Sequence, residues 1–215
     1  MSAAKKGEPA SMPLYWQEAT KELVKNDRIM RKVIAHVGES YPGKRGDPFK
    51  TLIRSIIGQQ LSVKAACSIW ERFEKVCPAC TPTHVIRTGG ENFLKCGLSK
   101  RKTEYVIDLA NHFKKGMVCP EKWEEMSDEE IIADLIRIRG IGRWTAEMFL
   151  IFNLHRPNVL PLDDAGLVKG ISTAYFSGEP VTRMEMRELA VNWQPWCTVA
   201  TWYLWRSLVA IPVEY

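Results

Sequence analysis

No stretch of the 215-residue chain approaches the roughly 18–20 consecutive apolar residues that cross a bilayer, so no membrane-spanning helix is expected. The opening Met1-Ser2-Ala3-Ala4-Lys5-Lys6-Gly7-Glu8 lacks the apolar core of a secretory signal. A soluble intracellular protein is expected, cytoplasmic and at the nucleoid if the host is bacterial. No segment sustains an alternation of β-branched residues between turn signals, which argues against a sheet. Repeats of solenoid period and long linkers are also lacking. Neither charge sign is in large excess: 30 Lys and Arg against 25 Asp and Glu leave +5. That balance permits a polyanionic partner without requiring one. Six cysteines in an intracellular chain are expected to be reduced. Cys77-Pro78-Ala79-Cys80, with His84 and Cys96, has only a faint zinc-like spacing, short of four well-placed ligands. The simpler reading is unpaired thiols around a helix end.

What is present is a globular composition, 46% apolar and 26% charged, sufficient for a core in one domain or one domain of two lobes. The eight tryptophans suit core packing, with some left over for a stacking pocket. The pattern is helical nearly throughout, with about ten short helices expected. Residues 1–13 read as a polar tail, and 14–37 as helix in two pieces. Asp47-Pro48 starts a helix to about Ile57, Gly58-Gln59-Gln60-Leu61 interrupts it, and Ser62 caps the next. Ser99 caps a helix over 100–114. Ser127-Asp128-Glu129-Glu130 and Thr182-Arg183-Met184-Glu185 both have the capping-box pattern. An aromatic-rich helix follows Pro195.

Charge changes sign sharply within one region. Residues 121–134 hold seven acids and one base, whereas 135–145 hold Arg137, Arg139 and Arg143 with no acid. Helical periodicity through Ile131, Ile132, Leu135 and Ile138 runs into Arg139-Gly140-Ile141-Gly142-Arg143, and a second helix begins near Trp144-Thr145-Ala146. A glycine turn before a helix N-terminus, flanked by arginines, can hold a phosphate without reading a base. The plain alternative is a helical hairpin whose glycines only make the turn.

Leu135 to Ala146 resembles the helix–hairpin–helix of the HhH-GPD DNA glycosylase superfamily. Leu160-Pro161-Leu162-Asp163-Asp164, followed by Leu167-Val168-Lys169, resembles that superfamily's Gly/Pro-rich loop and essential aspartate. Phe49 to Val63 matches as well, and Trp193-Gln194-Pro195-Trp196 with Trp202-Tyr203-Leu204-Trp205 is similar to the 3-methyladenine DNA glycosylase II branch. The resemblance covers about residues 14–215. It implies an all-α, two-lobed fold with its active-site cleft between the lobes. One lobe would run over about 49–150, including the hairpin at 131–150; the other would combine the N-terminal helices with about 160–215.

The implied activity is a monofunctional glycosylase of base excision repair. It would hydrolyse the N-glycosidic bond of flipped-out alkylated purines and leave an abasic site. A non-catalytic DNA-structure binding module is the alternative, as is a glycosylase for uracil, hypoxanthine or a mismatched pyrimidine. Asp164 is the expected catalytic carboxylate, with Asp163 as the helix cap. Trp144, Met148 and Trp205 are the expected pocket residues. Gln60, or its neighbour Leu61, is the expected wedge into the base stack. Arg139, Gly140, Ile141, Gly142, Arg143 and Thr145 are expected to contact DNA. Main-chain carbonyls of Ile136, Ile138 and Ile141 would hold a monovalent Na+ or K+. Catalysis would require no cofactor, and the lone C-terminal Cys197 argues against an iron–sulfur cluster. The lysine nucleophile of some superfamily members would fall at Trp144, so no Schiff base is expected. Lys169, near Asp164 in sequence, would contact a phosphate or face solvent. Too few residues precede the first helix for the additional β domain of some bacterial relatives. The expected partner is double-stranded DNA carrying damaged bases, bound by a monomer.

Overall fold

A computed structural model describes residues 12–43 and 46–208. The tail expected over 1–13 therefore lies, up to residue 11, outside the described residues. Among the described residues the structure is helical with no strand. Among the described residues no helix is long and apolar enough to cross a membrane. The chain divides into two compact units, one of the described residues up to 43 and from Leu150 onward, the other of those between 46 and Phe149.

In the first unit, α1 (Trp16–Asn26) and α2 (Arg28–Val37) are separated by one residue, Asp27. Its carboxylate caps α2 by accepting from the N–H groups of Ile29 (2.8 Å) and Met30 (3.0 Å). The other oxygen accepts from the Tyr175 hydroxyl (2.6 Å) and the Trp193 indole (3.1 Å). A buried carboxylate is tolerable here because both oxygens are satisfied. The unit continues with α10 (Ala165–Tyr175), α11 (Arg183–Ala190) and α12 (Cys197–Ser207). Nine successive residues of α12, Cys197 to Trp205, are buried. A helix apolar on every side belongs in the middle of a unit, and α12 packs against α1, α2 and α10.

The second unit holds α3 (Pro48–Gly58), α4 (Val63–Val76), α5 (Pro82–Thr88), α6 (Gly90–Lys95), α7 (Lys100–Lys114), α8 (Asp128–Ile136) and most of α9 (Arg143–Phe152). The signals read from sequence form as expected. Asp47 accepts from the Lys50 N–H at 2.8 Å with Pro48 at the first helical position. Ser62 and Ser99 cap α4 and α7, and Ser127–Glu130 closes a capping box on α8. The same box, Thr182–Glu185, opens α11. The expected count of about ten helices omits α5 and α6, which at seven and six residues are too short to show a period. Cys77, Cys80 and Cys96 are buried thiols beside this pair of helices, and burial pushes Cys80 up to about 12. Among the described residues no His, Cys, Asp and Glu group is arranged to hold a metal.

Candidate active site

Asp164 sits immediately before α10 and is itself the N-cap. Its Oδ1 accepts the Leu167 N–H at 2.6 Å. This corrects the expectation that Asp163 would cap the helix. Asp163 is half-exposed and pairs with Arg183. The same Oδ1 of Asp164 accepts the Trp205 indole N–H at 2.7 Å, and the carboxylate is only 7% exposed. Two donors therefore converge on one oxygen at the positive end of the α10 dipole and fix the carboxylate's orientation.

The approach of Trp205 depends on Gly166. A Cβ there would lie 3.0 Å from Asp164 Oδ1 and 3.0 Å from the indole Cδ1. Any side chain at 166 would crowd the contact. Trp205 is buried and stacked on Phe152 at 5.9 Å with planes 9° apart. The structure therefore places this expected pocket residue as the holder of the carboxylate. Phe152 and Gly166 carried no sequence signal for this role. Lys169 is exposed on α10.

In the second unit, α8 and α9 form the expected hairpin. Gly140 has φ +87°, and a Cβ there would fall 2.1 Å from the Tyr105 ring. It is glycine both for its backbone and because α7 lies directly against it. Gly142 differs: a Cβ there would meet nothing within 4 Å. Gly142 is exposed and immediately precedes the first turn of α9.

Both flanking arginines have partners within the protein. Arg139 pairs with Glu104 at 3.0 Å, and its main-chain N–H donates to Asp108 at 2.9 Å. Arg143 forks onto both oxygens of Glu129, one of them at 3.0 Å, and its Nε donates to Glu147 at 3.0 Å. That hydrogen bonding holds the Glu129 carboxyl below its ordinary range and raises Arg143. The fold thus folds the acidic stretch back onto the basic one, so the turn is less positive than its sequence suggests.

Ile141 and Thr145 are buried, so a DNA contact from these positions runs through the main chain. Trp144 is 40% exposed, and Met148, one turn further along α9, is half-buried. Gln60 is exposed in the turn between α3 and α4 with φ +57°, and Leu61 beside it is 39% exposed. Ile136 ends α8, where helical carbonyls run out of intrahelical donors, and Ile138 and Ile141 are buried in the turn that follows. The Ile138 carbonyl accepts the Ile141 N–H at 3.1 Å and retains a second lone pair. Uncharged oxygen donors of this kind suit a hard cation of low charge.

Residues 53–195 match the HhH-GPD superfamily of base excision DNA repair proteins. The chain is 33% identical over 188 residues to DNA-3-methyladenine glycosylase 1 of Schizosaccharomyces pombe, covering 84% of this chain and 82% of that protein. It is similar to the crystal structure of a DNA-3-methyladenine glycosidase from Bacillus halodurans, with a TM-score of 0.84, 34% identity and 89% of each chain covered. A further likeness is to a 3-methyladenine DNA glycosylase of Schizosaccharomyces pombe in complex with abasic DNA. There the TM-score is 0.78 and the identity 33%, over 90% of this chain and 98% of that one.

Proposed function

The chain belongs to the HhH-GPD superfamily of base excision DNA repair proteins, and from that premise we propose that it is a monofunctional glycosylase releasing alkylated purines, of the 3-methyladenine and 7-methylguanine class, from double-stranded DNA. The observation that carries this reading is the buried Asp164 carboxylate, fixed on Oδ1 by Leu167 and Trp205. The similarity to 3-methyladenine glycosylases supports it.

The target base lies inside the stack, so its nucleotide must be extruded before any chemistry. As the bond from C1′ to the base nitrogen lengthens, its electron pair leaves with the base and positive charge develops on the sugar. A methylated purine already carries positive charge and departs neutral, so no strong general acid is needed. The Asp164 carboxylate stabilises the oxocarbenium-like sugar, and its fixed orientation requires no rearrangement as charge develops. Water then adds to C1′, and its proton passes to the Asp164 carboxylate and on to solvent. The products are the free base and an abasic deoxyribose.

Grip on the backbone belongs to the main chain around Gly142 and the start of α9, with Gln60 or Leu61 as the wedge. Trp144 offers an indole face, and a cationic purine stacks well on indole. A monovalent cation on the carbonyls of Ile136, Ile138 and Ile141 belongs to the same proposal. When bound, it would add positive charge where a phosphate docks.

The test is to incubate the protein with methylated duplex DNA and identify the bases liberated. Release of methylpurines by the wild type and none by Asp164→Asn is expected. Tight DNA binding without any release would return the chain to a structure-binding module, and release of uracil or hypoxanthine alone would change the substrate.

A further inference from the structure

The α3–α4 turn that carries Gln60 and Leu61 has an unusual support. Gln60 holds a left-handed backbone, φ +57°, in an exposed position where a glutamine gains nothing from it locally. Such a conformation persists only where its surroundings enforce it. Packing from beneath does not enforce it. A pocket of about 110 Å3, lined by Ile57, Leu61, Ile69, Leu98 and Lys102 among others, lies against the turn.

Hydrogen bonds hold the turn instead. The Lys102 ammonium donates to the carbonyls of Ile57 and Gln59, each at 2.7 Å. The Leu61 N–H donates to the intervening carbonyl, that of Gly58, at 3.2 Å. Three successive carbonyls at the end of α3 are thereby satisfied, two of them by one side chain from α7. The Gln59 side chain then donates to the Gly140 carbonyl at 2.8 Å, joining this turn to the hairpin turn. The hairpin turn is fixed to α7 as well: Tyr105 fills the space at Gly140, Asp108 accepts the Arg139 N–H, and Glu104 pairs with the Arg139 side chain.

We propose that α7 is a bracket holding the wedge turn and the phosphate-gripping turn at a fixed spacing, with Lys102 and Gln59 as positioning residues for base extrusion. This inference rests on the glycosylase reading above. Neither residue touches the reacting atoms. Lys102 sets where the wedge turn stands, and Gln59 ties that position to the turn that grips the backbone. A wedge displaced by about an ångström enters the stack poorly, although the backbone grip is intact.

A fluorescent 2-aminopurine beside the lesion reports stack opening without turnover, so it can be read in the Asp164→Asn background. Lys102→Met and, separately, Gln59→Leu should reduce the fluorescence rise at saturating protein severalfold while leaving DNA affinity within about threefold. In turnover, each should lower kcat about tenfold on a paired methylpurine with little change in KM. The loss should shrink to about twofold when the lesion sits unpaired in a bulge. Lys102→Arg, which keeps two donors, should restore most of the paired-substrate rate. Equal losses on paired and bulged lesions, or no loss on either, would overturn the bracket. Failure of the wild type to release any methylated base would instead overturn the glycosylase reading, with the fluorescence arm still deciding the bracket.

Discussion

At the scale of the residue, the proposed chemistry concentrates on one oxygen. Asp164 Oδ1 is held by a main-chain N–H and an indole N–H, and an asparagine oxygen can accept both. Asp164→Asn should therefore melt within about 1 kcal/mol of the wild type in urea, while methylpurine release falls by at least about a hundredfold. Trp205→Phe separates the donor from the ring. Its stacking on Phe152 can persist, but the charge-assisted hydrogen bond, worth about 1.5–3 kcal/mol, is lost. Turnover should drop about tenfold or more with KM little changed.

The Arg143–Glu129 pair offers a pH-dependent observable. Glu129 lies below its ordinary range in the fold, so its contribution to stability is complete above the free-carboxylate range. That contribution is lost as pH falls through the lowered value. Both groups are well exposed, which keeps the effect small. Carboxyl NMR titration of Glu129 in wild type and Arg143→Ala should show the midpoint rise in the variant.

At the scale of the element, the two hairpin glycines are different devices. Gly140→Ala meets a positive φ and the Tyr105 ring together, so it should cost about 3 kcal/mol in chemical denaturation. Gly142→Ala meets no protein atom within 4 Å and should leave stability unchanged. It should instead weaken binding to all DNA sequences alike, since a phosphate contact carries no code. Both glycines were legible in sequence as a turn; only the neighbourhood distinguishes their roles. The arginines show the converse. Three bases after seven acids read as a positive edge, yet the hairpin brings Glu129 beside Arg143 and α7 brings Glu104 beside Arg139. No local pattern encodes a pairing across 35 residues.

At the scale of the molecule, the proposed function divides its tasks between the two compact units. The first holds Asp164 and its indole partner; the second holds the hairpin, the α3–α4 turn and α7. The first unit depends on Asp27, whose carboxylate joins α2 to Tyr175 and Trp193. Asp27→Ala strands a helix cap and two buried donors, and it should cost about 3 kcal/mol in urea unfolding. For the whole protein on DNA, borohydride should trap no covalent adduct, because the resemblance to the superfamily puts Trp144 where some members have a lysine nucleophile. A trapped complex would assign the chemistry to an amine elsewhere in the chain.

By itself the sequence determined the helical class, most helix starts and the position of the aspartate. Caps, prolines and glycines act over three or four residues, and those distances are printed in the chain order. Tertiary structure alone decided that Trp205 secures Asp164, and that Lys102 and Gln59 hold the α3–α4 turn; the choice of Asp164 over Asp163 as the cap is local, but two adjacent aspartates left it open. The indole, lysine and glutamine contacts join residues 41 to 81 positions apart. Which side chain reaches which oxygen over such separations depends on how the helices pack, and packing is a property of the completed unit.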